Sequence, residues 1–179
     1  YNNIQDADTA WALVSEFTKP TCVIVKHANP CGVASSNTTL LDAYERAFSA
    51  DSVSAFGGII ALNGSLDAET AAKITQNQFV ELIIATDITP EALTIIQEKK
   101  NLRLLTALLT QHNHETYDFK RIQGGMLIQS LDTRTLNLTD CTIPTISQPD
   151  DTDLDDLKFA WKIVKHVKSN AIVYCKNEM

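Results

Sequence analysis

Short apolar runs alternate with helix-like segments along the first two-thirds of this 179-residue chain. The runs cover 21–25, 57–63, 80–85 and 102–108, and each is nearly continuous rather than alternately apolar and polar. Strands that are buried on both faces have sequences of this kind. The alternation therefore predicts an α/β fold with three layers (α/β/α), in which helices cover both faces of a mainly parallel sheet.

The segments between the apolar runs have the spacing of amphipathic helices. Helices are expected over 6–17, 40–48, 67–75 and 89–101. Asp6 or Asp8, Asp67 and Thr89 are the expected capping residues, and Pro90 suits a first helical position.

The pattern changes after residue 108. A polar loop is expected over 111–116, and paired strands are expected over 117–129 around Gly124-Gly125. A final helix should begin at Thr152 or Asp153, and a last buried strand should follow over 171–175. The expected buried face of that helix consists of four residues: Leu154, Leu157, Trp161 and Val164.

Charge and composition restrict the class of protein. The formal net charge is −7, which argues against a broad nucleic-acid surface or a basic membrane-binding face. No apolar run approaches the roughly 20 residues that span a bilayer, and no signal peptide is visible. The four cysteines show no C-x-x-C spacing. We therefore expect a cytoplasmic protein of one domain, and because it begins at Tyr1 we expect a piece of a longer polypeptide.

Three polar clusters carry candidate chemistry: 26–30, 54–58 and 168–170. Ligands of open α/β sheets collect at the carboxyl ends of strands, so we expect the clusters there or at nearby helix-to-strand junctions. His27 would accept a proton and Lys26 would stabilise negative charge on an oxygen. Phe56 would stack on a planar ring, and Asn170 would hydrogen-bond an amide or hydroxyl. The alternative interpretations are a solvated turn at 26–30, a tight turn at 57–58 and a helix C-cap at Asn170.

A zinc site is the other interpretation of the first cluster. Zinc deaminases use the motifs H-x-E and P-C-x-x-C. Here Asn29 stands two residues after His27, and Ala34 stands three residues after Cys31. The general acid/base carboxylate and the second thiolate are both missing, so no zinc is predicted.

Six segments, taken in order, resemble the PurH family, the bifunctional AICAR transformylase/IMP cyclohydrolases of bacterial purine biosynthesis. They are YNNI at 1–4, VKHANPCG at 25–32, LDAY at 41–44, SAFGGIIA at 54–61, DFKR at 118–121 and KSNAIVY at 168–174. The resemblance covers essentially the whole chain. It implies a cytidine-deaminase-like fold without zinc, with residues 1–179 as the first of two such halves of the transformylase region.

The resemblance also implies an activity. The family transfers a formyl group from its co-substrate 10-formyltetrahydrofolate to the 5-amino group of AICAR. By motif matching, His27 takes the place of the proton acceptor and Lys26 that of the transition-state stabiliser. Gly57, Glu81 and Asn170 fall at positions that contact AICAR. The family's site forms across a homodimer interface, and its cyclohydrolase domain and second half would lie outside this chain.

Two other functions remain open at this point. The chain could be a non-catalytic nucleotide-binding or assembly module, or a deaminase-like hydrolase with an unusual metal site. If it is a transformylase piece, it should fold alone and show no measurable formyl transfer, since parts of the pocket are absent.

Overall fold

Helices and strands alternate along the chain in the computed structural model, which describes residues 1–109 and 117–179. The polar loop predicted over 111–116 lies outside the described residues. The helices are α1 Asn2–Val14, α2 Leu40–Ala50, α3 Ala68–Asn77, α4 Pro90–Gln97 and α5 Asp151–Val164. The strands are β1 Thr21–Lys26, β2 Asn29–Ser35, β3 Gly58–Leu62, β4 Ser65–Leu66, β5 Val80–Ala85, β6 Asp87–Ile88, β7 Arg103–Thr106, β8 Tyr117–Ile122 and β9 Gly125–Ser130.

The central sheet has five strands in the order β2–β1–β3–β5–β7. β3, β5 and β7 pair in parallel, whereas β1 is antiparallel to both of its neighbours. β2 therefore points the same way as β3, β5 and β7, and β1 is the one reversed strand of this sheet. The prediction of a mainly parallel sheet is confirmed.

Each face of this sheet carries its own hydrophobic core. Along β1, Cys22 and Ile24 point to the core under α2, α3 and α4, while Val23 and Val25 point to the core under α1 and α5. All four side chains are fully buried. The same alternation along β3 and β5 gives two cores on opposite faces, which confirms the three-layer α/β/α prediction.

Capping side chains fix where most helices begin. Asp67 accepts the backbone N–H of Thr70, and Thr89 accepts that of Ala92, so both predicted caps are confirmed. The predicted start of α1 is wrong, because the helix begins at Asn2 and Asp6 lies in its second turn.

The predicted start of α5 is also wrong. Asp150 is its N-cap, and its carboxylate accepts the N–H of Asp153, whose side chain accepts that of Asp150 in return. This reciprocal capping box places Asp153 at the third helical position rather than at the cap.

The expected burial of α5 is wrong for Leu157 and Trp161. Phe159 and Ile163 face the core, and Phe159 lies 5.2 Å from Phe17 between ring centroids. Leu157 and Trp161 are 54% and 44% exposed. The helix has two apolar faces, and the second lines an open groove of about 850 Å³ instead of packing on the sheet.

The strand predicted over 171–175 does not form. Side-chain and single backbone contacts hold the end of the chain instead, since Asp156 accepts the N–H groups of Asn177 and Glu178, and Glu178 accepts the N–H of Ser35. The segment thus lies beside β2 without a strand ladder. The paired strands predicted around Gly124-Gly125 are confirmed as β8 and β9. Among the described helices, none has the length and apolar character needed to cross a membrane.

Candidate active site

The turn between β1 and β2 carries the first candidate cluster. Lys26 ends β1 and pairs with Asn29, the first residue of β2, so His27 and Ala28 form a two-residue hairpin turn. Both have positive φ angles, 56° and 55°. Turns of this kind favour Asn and Gly at these positions, and a non-glycine residue held there costs of order 1–3 kcal/mol. Such backbone strain is concentrated at functional sites, and because this turn also carries His27 next to Lys26, it is the leading candidate.

Two segments distant in sequence hold the turn in place. The N–H of Ala28 donates to Asp6 Oδ1 of α1 at 2.8 Å. From the opposite end of the chain, Lys168 Nζ donates to the carbonyl of His27 at 3.0 Å, and the Lys168 N–H donates to Asn29 Oδ1 at 3.1 Å. Ala28 is buried, whereas the side chain of His27 is exposed. The backbone is therefore fixed while the imidazole faces the surface.

Lys26 joins this turn to the second candidate cluster. Its Nζ donates to the carbonyl oxygens of Phe56 at 3.1 Å and Gly57 at 2.9 Å. Gly57 has a φ of +68°, and a Cβ there would lie 2.9 Å from Lys26 Nζ. The positive φ favours glycine at position 57, and the absence of a side chain leaves room for the Lys26 ammonium. The structure therefore brings Lys26 and Gly57 together.

Phe56 stands at the rim of this contact. Its ring is 64% exposed and lies 5.8 Å from that of Phe79 between centroids, in a tilted arrangement. Phe79 also accepts the N–H of Gly57 at its carbonyl. The exposed part of the Phe56 ring is available for stacking on a planar group.

Glu81 lies near the start of β5, at the same end of the strands as Lys26 and Gly57. The pairing of β3 with β5 shifts there, from Gly58 opposite Val80 to Ile59 opposite Leu82, and this leaves Glu81 without a partner residue. Irregularities of this kind re-aim a side chain.

The Glu81 carboxylate has two side-chain partners. Its Oε2 accepts from Arg103 Nη1 at 3.0 Å and from Asn3 Nδ2 at 3.4 Å. The carboxylate is therefore partly neutralised and tied to α1 and β7.

Asn170 is the candidate that the structure brings in least. It is exposed, and its Oδ1 accepts from the hydroxyl of Ser169 at 3.1 Å. Among the hydrogen bonds of residues 1–109 and 117–179, none joins Asn170 to the other candidates, although Lys168 two residues earlier is bound to the turn. The alternative role as a helix C-cap is wrong, because α5 ends at Val164 with Lys165 as its cap.

The polar clusters were expected at the carboxyl ends of strands or at nearby helix-to-strand junctions. Only the second of these positions agrees with the structure. β1 runs against β3, so its carboxyl end, with Lys26, meets the amino ends of β3 and β5. The site therefore lies at helix-to-strand junctions, with Gly57 after α2 and Glu81 after α3, and not at the carboxyl ends of the parallel strands.

Three functional candidates were missed from sequence: Asn3, Asp6 and Arg103. Asn3 and Asp6 are three residues apart, which places them on one face of α1. That spacing was a usable signal, but the partners of both residues lie more than twenty positions away.

The acid–base and metal-binding character of the neighbouring groups limits the available chemistry. In residues 1–109 and 117–179, no three His, Cys, Asp or Glu side chains form a group that could hold a metal ion. Burial raises the pKa of the Cys31 thiol to about 11, so the metal-free thiol is protonated at neutral pH. Residues 26 and 27 supply an ammonium, which can stabilise an oxyanion, and an imidazole, which can transfer a proton.

Comparisons with known proteins cover the whole chain in one case and part of it in the others. The family model described as "AICARFT/IMPCHase bienzyme" matches residues 1–179. The dCMP deaminase from the cyanophage S-TIM5 in apo form is a structural neighbour, with a TM-score of 0.44, 16% identity, and coverage of 60% of this chain and 99% of that one. Acinetobacter baumannii RibD is another, with a TM-score of 0.43 and 15% identity over 57% of this chain and 35% of that one.

Proposed function

The chain belongs to the AICARFT/IMPCHase bienzyme family, and we propose that its part in that family is formyl transfer from 10-formyltetrahydrofolate to the 5-amino group of AICAR. His27 is the general base and Lys26 stabilises the transition state. One observation supports this assignment above the others: the strained turn that carries His27 is held on both sides, and the adjacent Lys26 ammonium reaches Gly57.

The chemistry of the reaction fits a neutral imidazole. The 5-amino group is an aromatic amine next to a carboxamide, which makes it a poor nucleophile until its proton is removed. A positioned base typically accelerates such a step by about 10²–10⁴-fold. His27 is exposed at the end of the hairpin, where a substrate amine can approach it.

Lys26 suits the second task. Attack on the formyl carbon produces a tetrahedral oxyanion, which a fixed cation stabilises without reorganisation. An ammonium has three donor hydrogens, and two of them are directed at the carbonyls of Phe56 and Gly57. The third remains for the oxyanion, and the two backbone bonds hold the charge in place.

The remaining site residues are assigned to AICAR binding. Gly57 allows the close approach of the imidazole ring or the ribose of AICAR. Phe56 offers a ring for stacking, and Glu81 offers a carboxylate to the amine or hydroxyl groups of AICAR. Asn170 would join this set when the ligand draws the 168–170 segment inward. These roles rest on the motif matches and on the shared sheet edge.

The proposal treats the chain as one part of a larger catalytic unit. Residues 1–179 would be the first deaminase-like half of the transformylase region, in a cytoplasmic homodimer whose second half and partner subunit supply folate contacts. No zinc takes part in the proposed reaction. The chain by itself is expected to fold and to transfer no measurable formyl group, because misplacement of a substrate by about 1 Å already costs about 10²-fold.

His27→Ala in the complete bienzyme tests the proposal. We expect the rate of formyl transfer to fall by about 10²-fold or more. The absorbance of the folate product measures this rate. Cyclohydrolase activity in the same polypeptide should stay close to wild type. His166→Ala is the matched control, because His166 contacts Glu16 and not the turn. Formyl transfer that survives in His27→Ala within a few-fold would show that His27 is not the base.

A further inference from the structure

The carboxylate of Asp6, on α1, contacts the backbone of the turn formed by His27 and Ala28. Asp6 Oδ1 lies 2.8 Å from the backbone nitrogen of Ala28, which is 22 residues further along the chain. A hydrogen bond to an ionised acceptor is shorter and roughly twice as strong as one between neutral groups. No candidate role in the reaction explains this contact, because the bond is made to the backbone.

The contact satisfies a donor that would otherwise be unpaired. In a two-residue hairpin turn, the N–H of the second turn residue takes no part in the strand ladder. Ala28 is 8% exposed, so water has little access to it. A buried N–H without an acceptor costs about 1–3 kcal/mol, and Asp6 removes that cost.

The same contact opposes the strain of the turn. His27 and Ala28 are both held at positive φ without the freedom of glycine, and strained conformations persist only where the surrounding structure imposes them. Lys168 binds the His27 carbonyl from the other side. Of these two contacts, the one from Asp6 comes from a rigid element, because α1 packs on the sheet through fully or nearly fully buried Ala7 and Ala10.

One face of α1 links the turn to the substrate-binding side of the site. Asn3 lies one helical turn before Asp6 and donates to Glu81. A shift of α1 would therefore move the supports of His27 and of Glu81 together. The position of α1 therefore determines the positions of both the His27 turn and the Glu81 carboxylate.

We propose that Asp6 is a positioning residue that fixes the His27–Ala28 turn and so sets the position of the His27 imidazole. The inference rests on the proposed function for the reaction that His27 serves. Asp6 touches no reacting atom, and its effect is on the position of the base rather than on its chemistry.

Three variants of the complete bienzyme test this role: Asp6→Ala, Asp6→Asn and the control Asp8→Ala. Asp8 is an exposed carboxylate on the same helix, two residues away. For Asp6→Ala we expect kcat for formyl transfer to fall about 10- to 100-fold, as a displaced catalytic group does, with KM for AICAR changed less than about threefold. Asp6→Asn keeps an acceptor oxygen and should recover most of the lost kcat. Asp8→Ala should match wild type.

Hydrogen–deuterium exchange in the same samples supplies a readout that does not depend on the reaction. Asp6→Ala should speed exchange in the peptide that spans the turn and leave β5 unchanged. Equal exchange in Asp6→Ala and Asp8→Ala would overturn the proposal, as would faster exchange throughout the sheet, which would indicate general stabilisation. If the turn loosens in Asp6→Ala while kcat stays at the wild-type value, the turn does not position the base and the proposal is wrong. Absence of formyl transfer in the wild type would instead refute the proposed function, and the catalytic role of Asp6 with it.

Discussion

The two parts of the chain on either side of residues 110–116 differ in how they bury their apolar side chains. In residues 1–109, β1, β3 and β5 have core residues on both faces, and the largest fully buried side chains of the described residues lie here. In residues 117–179, every residue of β8 and β9 is exposed, including Met126, Leu127 and Ile128. The first part is stabilised by its own packing, whereas much of the second is not.

This difference indicates which part of the chain can hold catalytic side chains in fixed positions. Lys26, His27, Gly57 and Glu81 all belong to the packed part. The second part contributes Lys168 and Asn170, of which only Lys168 contacts the turn. A two-stranded hairpin is at best marginally stable alone in water, and large exposed apolar patches mark contact sites for other protein surfaces. This agrees with the proposed second half and partner subunit.

The largest expected effect contrasts the two parts directly. Ile60 is fully buried in β3, and Ile128 in β9 is 56% exposed. Ile60→Ala should lower the free energy of unfolding by about 2–5 kcal/mol, whereas Ile128→Ala should change it by less than about 0.5 kcal/mol. Urea unfolding of both variants, followed by circular dichroism, measures the difference. Equal losses would show that β8 and β9 are packed as firmly as the central sheet.

A smaller effect is expected at the ionic contact between the two parts. Glu16, just after α1, forms an ion pair with Lys165 and lies 3.5 Å from the Nε2 atom of His166, both just after α5. The hydrogen bond from His166 and the interaction with Lys165 outweigh burial and lower the pKa of Glu16 from 4.5 to about 2. Because the folded-state pKa is lowered, the stabilisation is fully present above pH 4.5 and is lost as the pH falls from there towards 2.

Glu16→Gln should therefore lower the free energy of unfolding at pH 6 by about 1 kcal/mol, the upper range for partly exposed pairs. At pH 3 its difference from wild type should be clearly smaller. Urea midpoints at the two pH values measure this. Glu45→Gln is the control, since Glu45 pairs with Lys73 on the surface at 2.9 Å within the packed part. A Glu16→Gln loss that does not change with pH would show that the carboxylate's charge is not what joins the parts.

The packed part was largely predictable from sequence, because its signals are local. Continuous apolar runs gave the strands, and Asp67 and Thr89 gave helix starts at positions that the structure confirms. The β1–β2 hairpin was missed because Asn29-Pro30 is a sequence that usually interrupts a strand. Proline is tolerated in edge strands, and β2 is an edge strand in which Pro30 falls at a register shift.

The site was predictable only as far as its motifs. Lys26, His27 and Gly57 carry recognisable local patterns, and the structure brings Lys26 and Gly57 together. Asp6 and Arg103 act through single contacts with residues distant in sequence, for which one sequence has no periodicity to detect. In the second part, the apolar run over 171–175 has no strand ladder to join, so β propensity alone gave the wrong structure.

The smallest expected effect concerns the open face of α5. Leu157 and Trp161 lie in the groove of about 850 Å³ and make little contact with the core. Leu157→Gln should change the free energy of unfolding by less than about 0.5 kcal/mol, as exposed substitutions do. If apolar contact through this face drives self-association of the chain, the same variant should weaken it about fivefold in Kd, the equivalent of about 1 kcal/mol of lost burial. Sedimentation equilibrium measures Kd, and Thr152→Gln, at an exposed polar position in the first turn of α5, is the control. A large loss of stability in Leu157→Gln would show that the groove is closed in solution and that the second part is packed after all. Unchanged stability with unchanged Kd would place the association surface elsewhere, with the exposed faces of β8 and β9 as the next region to substitute.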